Sequence, residues 1–124
     1  LIKRIQKIGS LSKKIHVYNQ DTEKWLLEID NLIPSNSLIY LDPPYYEKGQ
    51  GLYRNFYNHQ DHESIKEKLV KVKTPWIVSY DNNQNIRDIY QQYRQEEYIL
   101  NYSASKKIKA TEVIIYSDSI KLPH

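Results

Sequence analysis

The order of apolar and amphipathic segments predicts an α/β fold whose sheet is mainly parallel and closes with a carboxyl-terminal antiparallel hairpin. Three strand-like segments alternate with amphipathic segments, and two further strand-like segments follow near the end of the chain. This alternation is typical of parallel strands joined by right-handed helical crossovers. Because ligands bind beyond the carboxyl ends of the strands in open sheets of this type, we expect polar residues that follow different strands to share one edge.

The first part of the chain contains two predicted helices and the first predicted strand. Apolar residues at positions 1, 2, 5 and 8 follow a helical spacing, and residues 15–19 (IHVYN) alternate like a strand. Asp21 is a typical N-cap for a helix that runs to about Asp30. The apolar residues of that helix are expected to face inward: Trp25, Leu26 and Ile29.

The middle of the chain places a short strand before a long loop. Residues 38–41 (LIYL) are wholly apolar, which favours a strand covered on both faces. The loop covers about residues 42–60, and loops of this length are usually functional. Asp61 is the predicted N-cap of a helix that runs to about Lys73, where the Thr74-Pro75 pair ends it.

The last part of the chain contains three predicted strands and one helix. Residues 76–80 form a second apolar strand, and Asn82 or Asn83 opens the helix that follows. The final two strands are predicted at about residues 98–103 and 112–117. A polar, lysine-rich loop joins them, so we expect them to be antiparallel neighbours.

Composition restricts the class of protein. Of 124 residues, 40% are hydrophobic and 27% are charged, which predicts a packed core. The absence of cysteine excludes disulfides and thiolate metal sites and favours an intracellular, cytoplasmic setting. No apolar run approaches the ~20 residues that span a bilayer, so no membrane partner is expected. The net charge of +3 permits a nucleic-acid partner without requiring one.

The stretch Asp42-Pro43-Pro44-Tyr45 is the principal candidate site. Asp42 follows a buried strand directly, and the two prolines stiffen the turn and donate no N–H. A carboxylate, a free backbone carbonyl and an aromatic ring then lie within one turn. This set suits a flat ring that carries an exocyclic amine, because the acceptors can bind the amine hydrogens while the ring stacks on tyrosine. The simpler interpretation is a turn in which Asp42 only caps a backbone N–H.

Five segments, in order, resemble the Dam-like (D12 class) DNA adenine-N6 methyltransferases. The run "YLDPPYY" (40–46) is similar to the catalytic motif of methyltransferases that act on amino groups. The similarity spans roughly residues 12–118. The other four segments are "IHVYNQDTEKWL" (15–26), "FYNHQDHESIKEKL" (56–69), "PWIVSYDNN" (75–83) and "YSASKKIKATEVIIYSD" (102–118).

The resemblance implies a reaction and its participants. It implies a Rossmann-like methyltransferase sheet of which this chain forms part, S-adenosylmethionine as cofactor and double-stranded DNA as partner. The target adenine would be flipped out of the duplex. Asp42 and the Pro43 carbonyl would accept hydrogen bonds from N6, Pro44 would hold the turn, and Tyr45 would stack on the base. Methyl transfer would be direct, without a covalent enzyme intermediate. Tyr46 would assist the stacking or belong to the core.

Other residues receive implied roles beside structural alternatives. Asp21 matches the family's acid that contacts the cofactor's adenine, and its alternative is the helix N-cap. Ser79, Tyr80 and Asp81 line the pocket or belong to a helix-capping turn. Tyr53 and Arg54 contact DNA or pack the loop. A metal site is not expected, because the only ligand-rich group has irregular spacing across a loop–helix junction: His59, Asp61, His62 and Glu63.

The chain departs from the family's pattern in its glycines. The family holds the cofactor with a glycine-rich turn after its first strand, whereas this chain has only Gly9, Gly49 and Gly51. We therefore expect residues 1–14 to be the tail of the target-recognition region or a linker, and residues 15–124 to be the catalytic portion. The cofactor-binding part would precede them, so the fragment is expected to be inactive alone. An open sheet edge would then invite self-association.

Two other functions fit parts of the sequence. A protein-glutamine amino methyltransferase has a similar motif but usually carries Asn where Asp42 stands. A non-catalytic DNA-binding remnant would bind DNA and transfer no methyl group.

Overall fold

The computed structural model describes residues 1–47, 56–102 and 108–121, with the side chains of 100–102 and 108–110 left out of that description. It contains four α-helices, a single 3₁₀ turn at Ser12–Lys14 and four strands among these residues. The helices are α1 (Ile2–Ser10), α2 (Thr22–Leu32), α3 (His59–Leu69) and α4 (Gln84–Ile89), and the strands are β1 (Ile39–Leu41), β2 (Trp76–Asp81), β3 (Arg94–Tyr102) and β4 (Ile108–Tyr116).

The strands form one sheet in the order β1-β2-β4-β3. β1 and β2 are parallel, with Leu41 beside Val78. β4 is antiparallel to both β2 and β3, which confirms the predicted carboxyl-terminal hairpin. The α/β class is confirmed, but the prediction of a mainly parallel sheet is wrong for the described residues, since they form one parallel pair and two antiparallel pairs.

The strand predicted at residues 15–19 is not formed. The chain from Ile15 to Gln20 belongs to no ladder, and Val17 is 90% exposed. An alternating segment becomes a strand only when a neighbour supplies N–H and C=O partners. None of the described strands lies beside this segment, which removes a parallel member from the predicted sheet. β1 ends the strand order, and its outer edge pairs with no strand among the described residues.

Side-chain oxygens cap the amino-terminal ends of α2, α3 and α4, and one predicted cap is wrong. The predicted cap Asp21 is confirmed, because its carboxylate accepts a 3.0 Å hydrogen bond from the Lys24 N–H. Asp61 does not begin α3. Asn58 is the N-cap of α3 and forms a capping box with Asp61. The Asn58 side chain accepts a hydrogen bond from the Asp61 N–H, and the Asp61 carboxylate accepts one from the Asn58 N–H. Asn83 caps α4, one of the two predicted choices.

Helix α3 also ends at Leu69, four residues before the predicted position. The Asp30 carboxylate explains this difference, because it accepts hydrogen bonds from the N–H groups of Lys73 (2.8 Å) and Thr74 (2.9 Å). These amides are therefore bound outside the helix, and the chain turns into β2.

The core lies on the face of the sheet that carries Val78 and Tyr80, both fully buried. Val78 pairs with Ile115 and Tyr80 with Val113, so these four side chains share that face. Ile29, Leu69 and Ile86 from α2, α3 and α4 belong to the same cluster. The residues that alternate with these four along β2 and β4 point to the opposite face of the sheet. The candidate site lies on that face. No helix in the described ranges has the length and apolar character needed to cross a membrane.

Candidate active site

Asp42 lies at the carboxyl end of β1, exposed to solvent and held from the neighbouring strand. The Ser79 hydroxyl donates to Asp42 Oδ1 at 3.2 Å. Ser79 is only 3% exposed, and its Oγ lies 2.8 Å from the Tyr40 hydroxyl. A serine hydroxyl has one hydrogen. When Ser79 donates to Asp42, Tyr40 must therefore donate to Ser79, so a directed chain of two hydroxyls holds the carboxylate.

A second carboxylate, that of Asp81, holds the far side of the turn. Its Oδ1 accepts from the Tyr46 N–H at 2.8 Å, and its Oδ2 accepts from the Glu47 N–H at 3.0 Å. Asp81 is 7% exposed and ends β2. The turn that begins at Asp42 is therefore bound to β2 at both of its ends.

Glu112 on β4 holds the aromatic residue of the turn. The Tyr45 hydroxyl donates a hydrogen bond to Glu112 Oε1. Glu112 lies directly opposite Asp81 in the register of β2 and β4, so two carboxylates stand side by side beneath the turn. Glu112 cannot be recognised as a site residue from any single segment of the sequence, because its importance depends on a strand register that joins residues far apart in sequence.

Tyr46 faces helix α3. Its hydroxyl lies 2.9 Å from His59 Nδ1, and its ring centroid lies 5.3 Å from that of His62. His62 is fully buried, and its Nδ1 lies 3.1 Å from the Tyr80 hydroxyl. Burial lowers the pKa of His62 from its ordinary value, against the opposing effect of Asp61 and Asp81.

The other predicted site residues have different surroundings. Tyr80 lies wholly in the core, where burial strongly raises its pKa. Pro43 and Pro44 are half-buried in the turn. Tyr53 and Arg54 lie outside the described residues. Of the histidine-rich group, Asp61 belongs to the capping box of α3, and His59 Nε2 lies 3.4 Å from Glu63. Across residues 1–47, 56–102 and 108–121, no three His, Asp or Glu residues are placed to hold a metal ion.

A cavity opens beside Asp21 at the start of α2. It has a volume of about 230 Å³ and is lined by Tyr18, Gln20, Thr22 and Trp25. An adjoining cavity of about 330 Å³ includes Asp21 and shares Gln20 and Trp25 with the first. The half-buried Trp25 ring, the Gln20 amide and the Asp21 carboxylate could together bind a flat, polar-edged group.

The fold and the site define an α/β protein whose exposed carboxylate follows a strand and is held there, together with an adjacent tyrosine, by neighbouring strands. The chain belongs to the D12 class N6 adenine-specific DNA methyltransferase family, whose model matches residues 1–108. Membership supports DNA N6-adenine methylation in a broad sense, with DNA as the substrate. No curated protein matches the chain.

Proposed function

We propose that the protein transfers a methyl group from S-adenosylmethionine to N6 of an adenine that is flipped out of duplex DNA. The observation that carries this proposal is that Asp42 and Tyr45 lie in one turn at the end of β1 and are each held by a residue of another strand. Asp42 is exposed but oriented by Ser79, and Tyr45 is oriented by Glu112. An acceptor and a stacking ring are therefore preorganised in a chain of the adenine methyltransferase family.

Asp42 acts on the amine of the target base. Its carboxylate and the Pro43 carbonyl accept hydrogen bonds from the two N6 hydrogens, which directs the nitrogen lone pair away from the turn. N6 would then form a bond to the methyl carbon as the bond between that carbon and sulfur breaks, and the electron pair of that bond would leave with sulfur as a neutral thioether. Positive charge grows on N6 during this step, and the nearby carboxylate stabilises it. Because N6 is itself the nucleophile, no covalent enzyme intermediate is needed, and the excess proton passes from N6 to solvent after transfer.

Tyr45 holds the base in position. A flipped base loses its stacking in the duplex, and an aromatic side chain replaces that stacking with about 1–3 kcal/mol per base. The bond from the Tyr45 hydroxyl to Glu112 limits rotation of the ring. The base would then meet a ring whose orientation is already set.

The residues beside Asp21 fit one end of the cofactor. The cavity lined by Trp25 and Gln20 suits an adenine ring, and Asp21 could accept from its amine although one of its oxygens already caps α2. When bound, S-adenosylmethionine supplies an electrophilic methyl group. Gly9 lies within α1, and Gly49 and Gly51 lie outside the described residues, so the described part of the chain provides no glycine-rich turn for the rest of the cofactor.

The outer edge of β1, which pairs with no strand in the described part of the chain, supports a proposal of self-association. An unpaired strand edge presents free N–H and C=O groups that another strand can bind. Sedimentation velocity across a range of protein concentrations tests this, and a concentration-independent monomer would contradict it.

Substitution of Asp42 tests the proposed reaction. Wild-type full-length protein should transfer a labelled methyl group from S-adenosylmethionine to unmethylated duplex DNA, and Asp42→Ala should abolish transfer while duplex affinity stays within about threefold. Asp118→Ala is the matched control. Asp118 is also exposed, but it follows Ser117, which binds Trp76 at the opposite end of β2.

Three results would contradict the proposal. Near wild-type transfer by the Asp42→Ala protein would remove Asp42 from the reaction. Labelling of a protein glutamine instead of DNA would favour the glutamine methyltransferase. DNA binding without transfer by the wild-type protein would favour a non-catalytic function.

A further inference from the structure

We propose that Asp81 is a positioning residue for methyl transfer, acting through the backbone of Tyr46 and Glu47 to orient Asp42 and Tyr45. This inference rests on the proposed function. It concerns a side chain whose two carboxylate oxygens bind the backbone of the turn, so its effect on the base and the methyl donor is indirect.

The hydrogen bonds of the turn make Asp81 effective in this role. Pro43 and Pro44 have no N–H, so the first backbone donors after Asp42 belong to residues 45–47. Asp81 binds two of those three donors, one with each carboxylate oxygen, at 2.8 and 3.0 Å. Two bonds to one rigid carboxylate restrict both the position and the direction of the backbone. The stiff prolines transmit that restriction to Asp42.

The position of the Asp81 carboxylate opposite that of Glu112 indicates that Asp81 has a function beyond folding. Asp81 is nearly buried and lies directly opposite Glu112 in the sheet register. Carboxylates that face each other across strands are destabilising, and burial of a charge adds to that cost. Both acids bind the turn. Asp81 binds its backbone, and Glu112 binds the Tyr45 hydroxyl. The unfavourable pair of Asp81 and Glu112 therefore lies where it holds the turn that carries Asp42 and Tyr45.

The same chain contains a similar arrangement away from the turn. The Asp30 carboxylate also accepts from two consecutive backbone N–H groups, those of Lys73 and Thr74, at 2.8 and 2.9 Å. Asp30 holds the loop between α3 and β2, which contains no candidate site residue. Asp30→Asn is therefore a matched control, because it removes the same kind of contact without affecting the turn.

The test compares Asp81→Asn with Asp30→Asn in the full-length protein. The asparagine at either position keeps one acceptor oxygen and loses the other. We expect Asp81→Asn to lower kcat about ten- to hundredfold, as loss of a hydrogen bond to a charged group would. KM for duplex DNA should change less than about threefold, because neither Asp42 nor Tyr45 is removed. Asp30→Asn should leave kcat within about twofold while lowering the thermal midpoint.

A spectroscopic measurement separates positioning from general destabilisation. Amide proton resonances of Tyr46 and Glu47 should move upfield in Asp81→Asn and stay in place in Asp30→Asn, because short bonds to carboxylate deshield the proton. If Asp81→Asn does not fold, an amide-to-ester replacement at Glu47 removes one donor and keeps every side chain. It should give the same selective loss of kcat.

The possible results separate this inference from the proposed function. If the wild-type protein transfers methyl groups and Asp81→Asn, or the ester at Glu47, keeps kcat within twofold, the inference is overturned alone. An equal loss of kcat in Asp81→Asn and Asp30→Asn also overturns it, because general destabilisation then accounts for both. If the wild-type protein transfers no methyl group to DNA, the proposed function falls and this inference falls with it.

Discussion

The hydroxyl oxygen of Ser79 lies 3.2 Å from Oδ1 of Asp42, across the parallel pair of β1 and β2. This contact joins a nearly buried side chain to an exposed one, and it orients the carboxylate without withdrawing it from solvent. Ser79→Ala would remove the donor and leave Tyr40 without its partner.

Ser79→Ala should lower kcat/KM for methyl transfer to duplex DNA about five- to thirtyfold. A hydrogen bond to a partly solvated carboxylate contributes about 1–2 kcal/mol, and 1.36 kcal/mol corresponds to tenfold in rate. The control is Ser117→Ala, because Ser117 binds the backbone of Trp76 at the opposite end of β2. Ser117→Ala should lower the free energy of unfolding and leave kcat/KM for methyl transfer unchanged. Equal rates for Ser79→Ala and wild type would show that Asp42 needs no such orientation.

Tyr45→Phe and Tyr45→Ala should have different effects. Phenylalanine keeps the stacking ring and loses the bond to Glu112, so base binding should be largely kept. Alanine loses the ring, which should weaken binding of the flipped base by about 1–3 kcal/mol. Fluorescence of 2-aminopurine at the target position measures the flipped base in both variants. Indistinguishable fluorescence with the two variants would contradict a stacking role.

Stability should depend on pH through His62. Burial lowers its pKa in the folded state, so between that lowered pKa and about 6.5 the unfolded chain binds more protons than the folded chain. The contribution of neutral His62 is complete above about pH 6.5 and is lost as pH falls through that interval. His62→Gln should reduce the slope of unfolding free energy against pH between 7.5 and 5.5, as measured by urea denaturation. His16→Gln, at an exposed position, should keep the wild-type slope. A wild-type slope in His62→Gln would contradict the assignment.

The capping box of α3 should contribute to stability as a unit. Asn58→Ala and Asp61→Ala should each lower the free energy of unfolding by about 1 kcal/mol. The double variant should lose less than the sum of the two, because each side chain binds the other residue's N–H. Asn36→Ala, in the exposed loop before β1, is the control. Strict additivity in denaturant titrations would show that the two contacts are independent.

Local patterns predicted most elements, and the errors have identifiable physical causes. The apolar runs gave β1 and β2, and Asp21 and Asn83 were recognisable caps. The cap of α3 was misplaced because Asn58 and Asp61 are both good cap residues three positions apart. Their reciprocal bonds make Asn58 the N-cap of α3. The alternating segment at residues 15–19 lacks a described neighbour and so forms no strand.

The amino-acid sequence by itself determined the family, the Asp42–Tyr45 motif and its place directly after a strand. These are local properties of consecutive residues, so they can be read without a structure. Only the tertiary structure decided which side chains hold that motif. Ser79 and Asp81 point toward the turn while Tyr80 points into the core, and Glu112 meets Tyr45 from another strand. Facing direction and register depend on how distant strands pair, and no single segment contains that information.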